Sequence, residues 1–160
     1  MLTPMIILAI LITPLAIAFA YASYRSQPLE VRRPACYGMG LAFVFFAIGH
    51  FVQTEGMVAM LPAWVPWRLQ LVYLTGVLEL LIAIGFFLPG YRELAAKLAI
   101  AVLILFFPAN VYAALHGVGL GGHQWGPVYL LIRAPLQMVL ILWAYALCLD
   151  GRLPRLQRSN

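Results

Sequence analysis

"LVYLTGVLELLIAIGFFLP", Leu71–Pro89, carries one ionisable group, Glu79, inside a run that is apolar or small apart from Tyr73 and Thr75. Counted from Leu69 to Leu88, the run has about 20 residues. As a helix it would rise about 30 Å, the thickness of a bilayer's hydrocarbon core. It shows no strand-like alternation and no heptad, so a membrane-spanning helix is the reading. Glu79 then sits about ten residues, or about 15 Å, from either end. A carboxylate at that depth costs on the order of 3 kcal/mol on insertion scales. It must face the interior of a bundle, be protonated, or have a partner.

The rest of the chain follows suit. Its 160 residues are 64% hydrophobic and 9% charged, with a mean hydropathy of +0.95. A soluble domain carries about 25% charged residues, so this chain lacks the polar groups to cover a water-facing surface. Four further apolar runs stand out: Leu2–Tyr24, Cys36–Thr54, Leu94–Leu115 and Pro127–Leu149. Between them lie "RSQPLEVRRP", "LPAWVPWR", "LPGYRE" and "HGVGLGGHQWGP", rich in turn-forming residues. Backbone polar groups in lipid must be satisfied within the chain, so an all-α membrane bundle of five spans is expected. The net charge of +5 does not signal nucleic acid. The basic residues are not interleaved with aromatics on a polar face but sit in the breaks between spans.

Those breaks set an orientation. Arg25, Arg32, Arg33, Arg92, Lys97, Arg152, Arg155 and Arg158 make eight of the ten basic residues, and five spans put all of them on one side. By the positive-inside rule that side is cytoplasmic, with the N-terminus outside and the C-terminus inside. The expected organisation is a transmembrane helix over 1–24, a basic cytoplasmic loop over 25–35, a four-helix membrane domain over 36–149 and a basic tail over 150–160. "AFAYAS" resembles a signal-peptidase site, but no basic residue precedes the first run and three arginines follow it, so a retained helix is expected. Pro4 and Pro14 would kink that helix without breaking it. Cys36 and Cys148 fall at cytoplasmic span ends, where a structural disulfide is not expected. They read as small packing residues, and there is no C-x-x-C.

The polar residues inside the spans sort by depth. Counting inward, His50, Asn110 and Arg133 form an outer tier, and Glu79 and Gln137 a tier at the membrane midplane. Arg133 and Gln137 are four apart and share a helical face. The long Arg133 side chain is the expected partner of Glu79. Pro108, two residues before Asn110, should kink its helix and free a backbone carbonyl nearby. One polar pocket inside the bundle, opening outward, is the resulting expectation. The competing reading is that these groups only hold helices together by hydrogen bonds. Gly76, Ala83 and Gly85 read as packing points. In "AIGHFVQTEGMVAMLPAWVPWR", Ala47–Arg68, His50 is the pocket residue and Glu55 a solvated acid. Met57–Trp67 reads as an interfacial segment with Trp64 and Trp67 at headgroup level.

No metal site is expected. His50 and Glu55 are five apart, about 140° around a helix. His116 and His123 flank a glycine-rich turn without a metal-ligand spacing, and a haem would need two buried, opposed histidines. "GVGLGG" follows a helix and lies in a loop, the wrong setting for a phosphate cradle.

"FAIGHF", "MVAMLPAWVP", "LVYLTGVLELLIAIGFFLP", "FFPANVYAAL" and "IRAPLQMVLILWAY", in this order and spacing, resemble the DoxX-like membrane proteins from about Cys36 to Cys148. The resemblance implies a four-helix core formed by the second to fifth spans, with Leu2–Tyr24 as an addition. It implies His50, Glu79, Pro108, Asn110, Arg133 and Gln137 as family-typical positions. Relatives include a small subunit of a thiosulfate:quinone oxidoreductase and maturation factors, so the implied function is redox-associated.

Three functions follow. The first is a subunit with no built-in cofactor that binds a quinone in the pocket: Arg133, His50, Asn110 or Gln137 would donate to its carbonyls, and Glu79 could pass a proton. Phe45, Phe46, Phe106 and Phe107 would wall the ring and tail. Its electrons would come from an oxidoreductase partner. The second is a non-catalytic assembly or maturation factor. The third, a carrier, would need a homo-oligomer, since five helices show no inverted repeat. In each case the bacterial cytoplasmic membrane is the expected location.

Overall fold

The computed structural model describes residues 2–118 and 123–149. Six helices follow one another: α1 (Leu2–Arg25), α2 (Arg32–Val52), α3 (Thr54–Ala59), α4 (Arg68–Phe87), α5 (Arg92–His116) and α6 (Leu130–Trp143). Tight 3-10 segments lead into two of them: one turn over Pro89–Tyr91 before α5, and His123–Tyr129, broken at Gly126, before α6. Five segments are long and apolar enough to cross a membrane: Leu2–Arg25, Arg32–Val52, Arg68–Phe87, Pro89–His116 and Trp125–Leu149. Each overlaps one of the expected runs. The last is not one regular helix: after α6 the chain widens into π-helical turns over Ala144–Leu149. The expected tail with Arg152, Arg155 and Arg158, and residues 119–122 of the glycine-rich loop, lie outside the described residues.

Local chemistry sets the helix ends. α2 stops at Gln53, whose backbone leaves the helix (φ −121°, ψ 39°) while its N–H still bonds the Gly49 carbonyl. The Thr54 hydroxyl donates to the freed His50 carbonyl at 2.8 Å. Between α3 and α4, Pro62 and Pro66 cannot donate to a helical ladder. Trp67 then enters α4 from a left-handed conformation (φ 52°). Arg92 Nε caps α4 by donating to the Phe86 carbonyl at 3.2 Å. α5 closes on Gly117 (φ 62°), and the Val118 N–H reaches back to the Ala113 carbonyl at 3.0 Å. That φ is one glycine adopts freely.

α2 is the centre of the bundle, packed against both α1 and α4. Met39, Phe43, Ile82, Phe86 and Leu140 form the core, all almost fully buried. Lipid tails are as apolar as leucine, so cohesion inside a membrane rests on close packing and hydrogen bonds rather than on escape from water. Gly38 shows this: a Cβ there would collide with the Leu11 carbonyl of α1. The helix expected as an addition to a four-helix core packs directly onto that core. Ile7 and Leu11 of α1 are part of the main core.

The outward surfaces are apolar as well, with Leu105 70% and Leu131 76% exposed. In water such surfaces would be an aggregation liability; facing lipid they need no cover.

The arginine-bearing loops gather at one end. Arg32 of α2 donates to the Cys148 carbonyl in the π-helical segment at 3.2 Å. Arg92 of α5 lies 5.4 Å over the Tyr37 ring of α2. Just inside this end Cys36 and Cys148, both free and fully buried, bring their thiols within hydrogen-bonding reach of each other. The sequence reading of two separate packing residues becomes a single inter-helix contact.

Candidate functional site

His50 is in the last turn of α2, at the end of the bundle opposite the arginines, and turns inward to α4. It fits because Gly76 of α4 has no side chain: a Cβ there would lie 2.7 Å from the His50 Cβ. His50 Nδ1 lies 3.0 Å from the Val72 carbonyl and 3.2 Å from Thr75 Oγ1. A carbonyl only accepts, and the Thr75 hydroxyl proton is directed to the Leu71 or Val72 carbonyl. Nδ1 therefore carries the proton, and the network assigns the tautomer. That leaves Nε2 facing Glu79 Oε2 at 3.2 Å. In that tautomer Nε2 is an acceptor, so the contact becomes a hydrogen bond only when a further proton lies between the two groups.

Here the structure corrects an expectation. The residue in contact with Glu79 is His50, from the outer tier, and not Arg133. Among the described residues no ion pair joins Arg133 to Glu79. Arg133 borders the same cavity, but its Nε is closed off from solvent with no hydrogen-bond partner. Glu79 Oε2 likewise lacks an aligned donor, despite its proximity to His50. A buried polar atom without a partner costs about 1–3 kcal/mol, and more when charged. Two residues that border the cavity, Arg133 of α6 and Glu79 of α4, thus each carry a buried polar atom without a partner.

Pro108 lies within α5, where it removes one helical N–H. Two side-chain donors serve carbonyls beside it. Asn110 Nδ2 donates to the Phe106 carbonyl at 2.8 Å. Gln137 Nε2 donates across from α6 to the Leu103 carbonyl at 2.6 Å. Asn110 thus makes a bond within its own helix, and Gln137 ties two helices together.

His50, Glu79, Asn110, Arg133 and Gln137 all line one cavity of about 650 Å³, within the range of small-molecule sites. Phe45, Phe46 and Phe106 wall it; Phe107, expected beside them, does not line it. Other residues complete the lining. Tyr129 sits one turn before Arg133, Met57 and Met60 reach in from α3 and the turn after it, and Thr3 and Ile7 come from α1. Thr75 was legible only as a polar residue one turn before Glu79. The methionines gave no polar signal at all. Glu55 is exposed, as a solvated acid should be. His116 is exposed at the end of α5, stacked on Tyr112 at 4.0 Å. The side chain of His123 lies outside the described residues.

These features define a class: a small bundle of five membrane-length helices enclosing a polar chamber near one end. Residues 39–148 match a family model described as a domain of unknown function, DUF8561, and the chain belongs to that family. The match runs from within α2 through α6 and leaves out α1. No curated protein and no solved structure matches the chain.

Proposed function

We propose that this is an integral protein of the bacterial cytoplasmic membrane, a redox-associated subunit that binds a quinone in the chamber. The observation that carries the reading is the gathering of His50, Glu79, Asn110, Arg133 and Gln137 on one apolar-walled cavity, two of them, Arg133 and Glu79, with a buried polar atom that lacks a partner. A quinone carbonyl accepts from a guanidinium, and the hydroxyl of the reduced form donates to a carboxylate. One ligand in its two oxidation states thus suits both groups. The reduction takes two electrons and two protons. The His50–Glu79 pair, once protonated, can deliver one of these protons, and the second is drawn from water at the same end of the bundle. The electrons come from a partner oxidoreductase, since the described residues that line the chamber include no redox group. The resemblance to the DoxX-like proteins supports the same reading. Positive charge at the Arg32–Arg92 end supports a cytoplasmic position for that end, with the chamber in the outer half of the membrane.

The test is extraction of quinone from the detergent-purified protein. Quinone should co-purify with the wild type and be lost in Arg133→Ala. A stoichiometric partner protein with no retained quinone in the wild type would instead favour a non-catalytic assembly factor.

A further inference from the structure

A second concavity, of about 430 Å³, runs between α1 and α2. Ile6, Ala9, Ile10 and Thr13 form one side of it, and Leu41 and Val44 the other. Phe45 and Ile48 border both this groove and the chamber, so the two spaces adjoin with only those side chains between them. Their chemistry differs. The chamber carries the polar side chains. The groove's single hydroxyl, Thr13 Oγ1, is turned back onto the Ala9 carbonyl at 2.6 Å and offers no donor outward. The groove also reaches the lipid-facing surface, where Leu41 is 42% and Ile48 53% exposed. From Ile48 to Leu41, and from Ile6 to Thr13, it follows each helix for about 10 Å.

We infer that the ligand is a quinone bearing an apolar chain, its ring in the chamber and its chain passing over Phe45 and Ile48 into the α1–α2 groove. This rests on the quinone reading above and adds the substrate class and the route of entry. A small water-soluble ligand has no use for an apolar extension of the site that opens sideways. A chain-bearing quinone dissolved in the bilayer fits both halves and enters laterally between two helices. The inference also gives α1 a role. It supplies one whole side of the groove, plus Thr3 and Ile7 of the chamber, although it lies outside the family-matched segment 39–148.

The experiment uses the full chain in lipid nanodiscs and a benzoquinone whose alkyl chain ends in a photoreactive diazirine. After illumination the modified residues are mapped by mass spectrometry, and retained quinone is measured in parallel. Crosslinks should concentrate on Ile6–Thr13 of α1 and on Leu41 and Val44. Excess unlabelled chain-bearing quinone should abolish them. Ala9→Phe, an exposed position that fills the groove without entering the chamber, should remove the α1 crosslinks. Arg133-dependent retention of quinone with crosslinks on other helices would overturn the groove assignment and leave the chamber reading standing. So would groove crosslinks that a fatty acid displaces and quinone does not. Failure of the wild type to retain any quinone would overturn the chamber reading itself, and this inference with it.

Discussion

Gly76 has no side chain, and His50 occupies the space one would need. Gly76→Val should therefore cost about 1–3 kcal/mol through overpacking and separate His50 from Glu79. Gly90→Ala, where a Cβ meets nothing within 4 Å, should be close to neutral, and thermal unfolding of both variants in detergent checks the contrast. The His50–Glu79 contact makes a second residue-level prediction. A double-mutant cycle of His50→Gln with Glu79→Gln should give a coupling of at least about 0.5 kcal/mol. The matching cycle of Arg133→Gln with Glu79→Gln should give less. The reverse order would show that Arg133 is the partner of Glu79 after all. At this scale the sequence was informative about which residues are out of place in lipid, because a charge in an apolar run is conspicuous. It was silent on who touches whom. Depth counting put Arg133 within reach of Glu79, but reach depends on the rotation of each helix about its axis, and no residue count contains that angle.

Helix ends were legible where a proline, a glycine or a change to polar composition marks them. Pro89 follows the end of α4 and Gly117 that of α5. The end of α2 at Val52 falls within two residues of the expected Thr54, where polar residues begin; that a new helix, α3, starts at once from Thr54 was not legible. The π-helical turns over Ala144–Leu149 were equally hidden, since "AYALCL" reads as ordinary helix. Between elements, the Gln137 amide reaching the Leu103 carbonyl fastens α6 to α5. Gln137→Leu keeps the bulk and removes the bond. It should lower stability by about 0.6–2 kcal/mol, measured as a fall in the SDS fraction needed for unfolding in mixed micelles. An unchanged midpoint would mean that packing alone joins the two helices.

At the scale of the whole molecule, the arginine-rich loops and the chamber lie at opposite ends, so the topology is open to direct test. In a background with Cys36 and Cys148 replaced by serine, a cysteine at Ala63 should react with an impermeant maleimide on intact cells. One at Gln27 should react only after permeabilisation. Both positions are exposed, so the opposite pattern would reverse the orientation. The number of spans and their approximate limits were settled by composition and run length, because lipid leaves a chain of this apolarity few ways to satisfy its backbone. That His50, Glu79, Asn110, Arg133 and Gln137 are polar residues in apolar runs was likewise visible in the chain alone. Only the tertiary structure decided that they border one cavity, that His50 is the residue against Glu79, that two distant cysteines meet, and that α1 is built into the core and the chamber wall. Each of these depends on how helices rotate and cross, which is set by side-chain fit between segments far apart in sequence, such as Gly38 against Leu11 and Gly76 against His50.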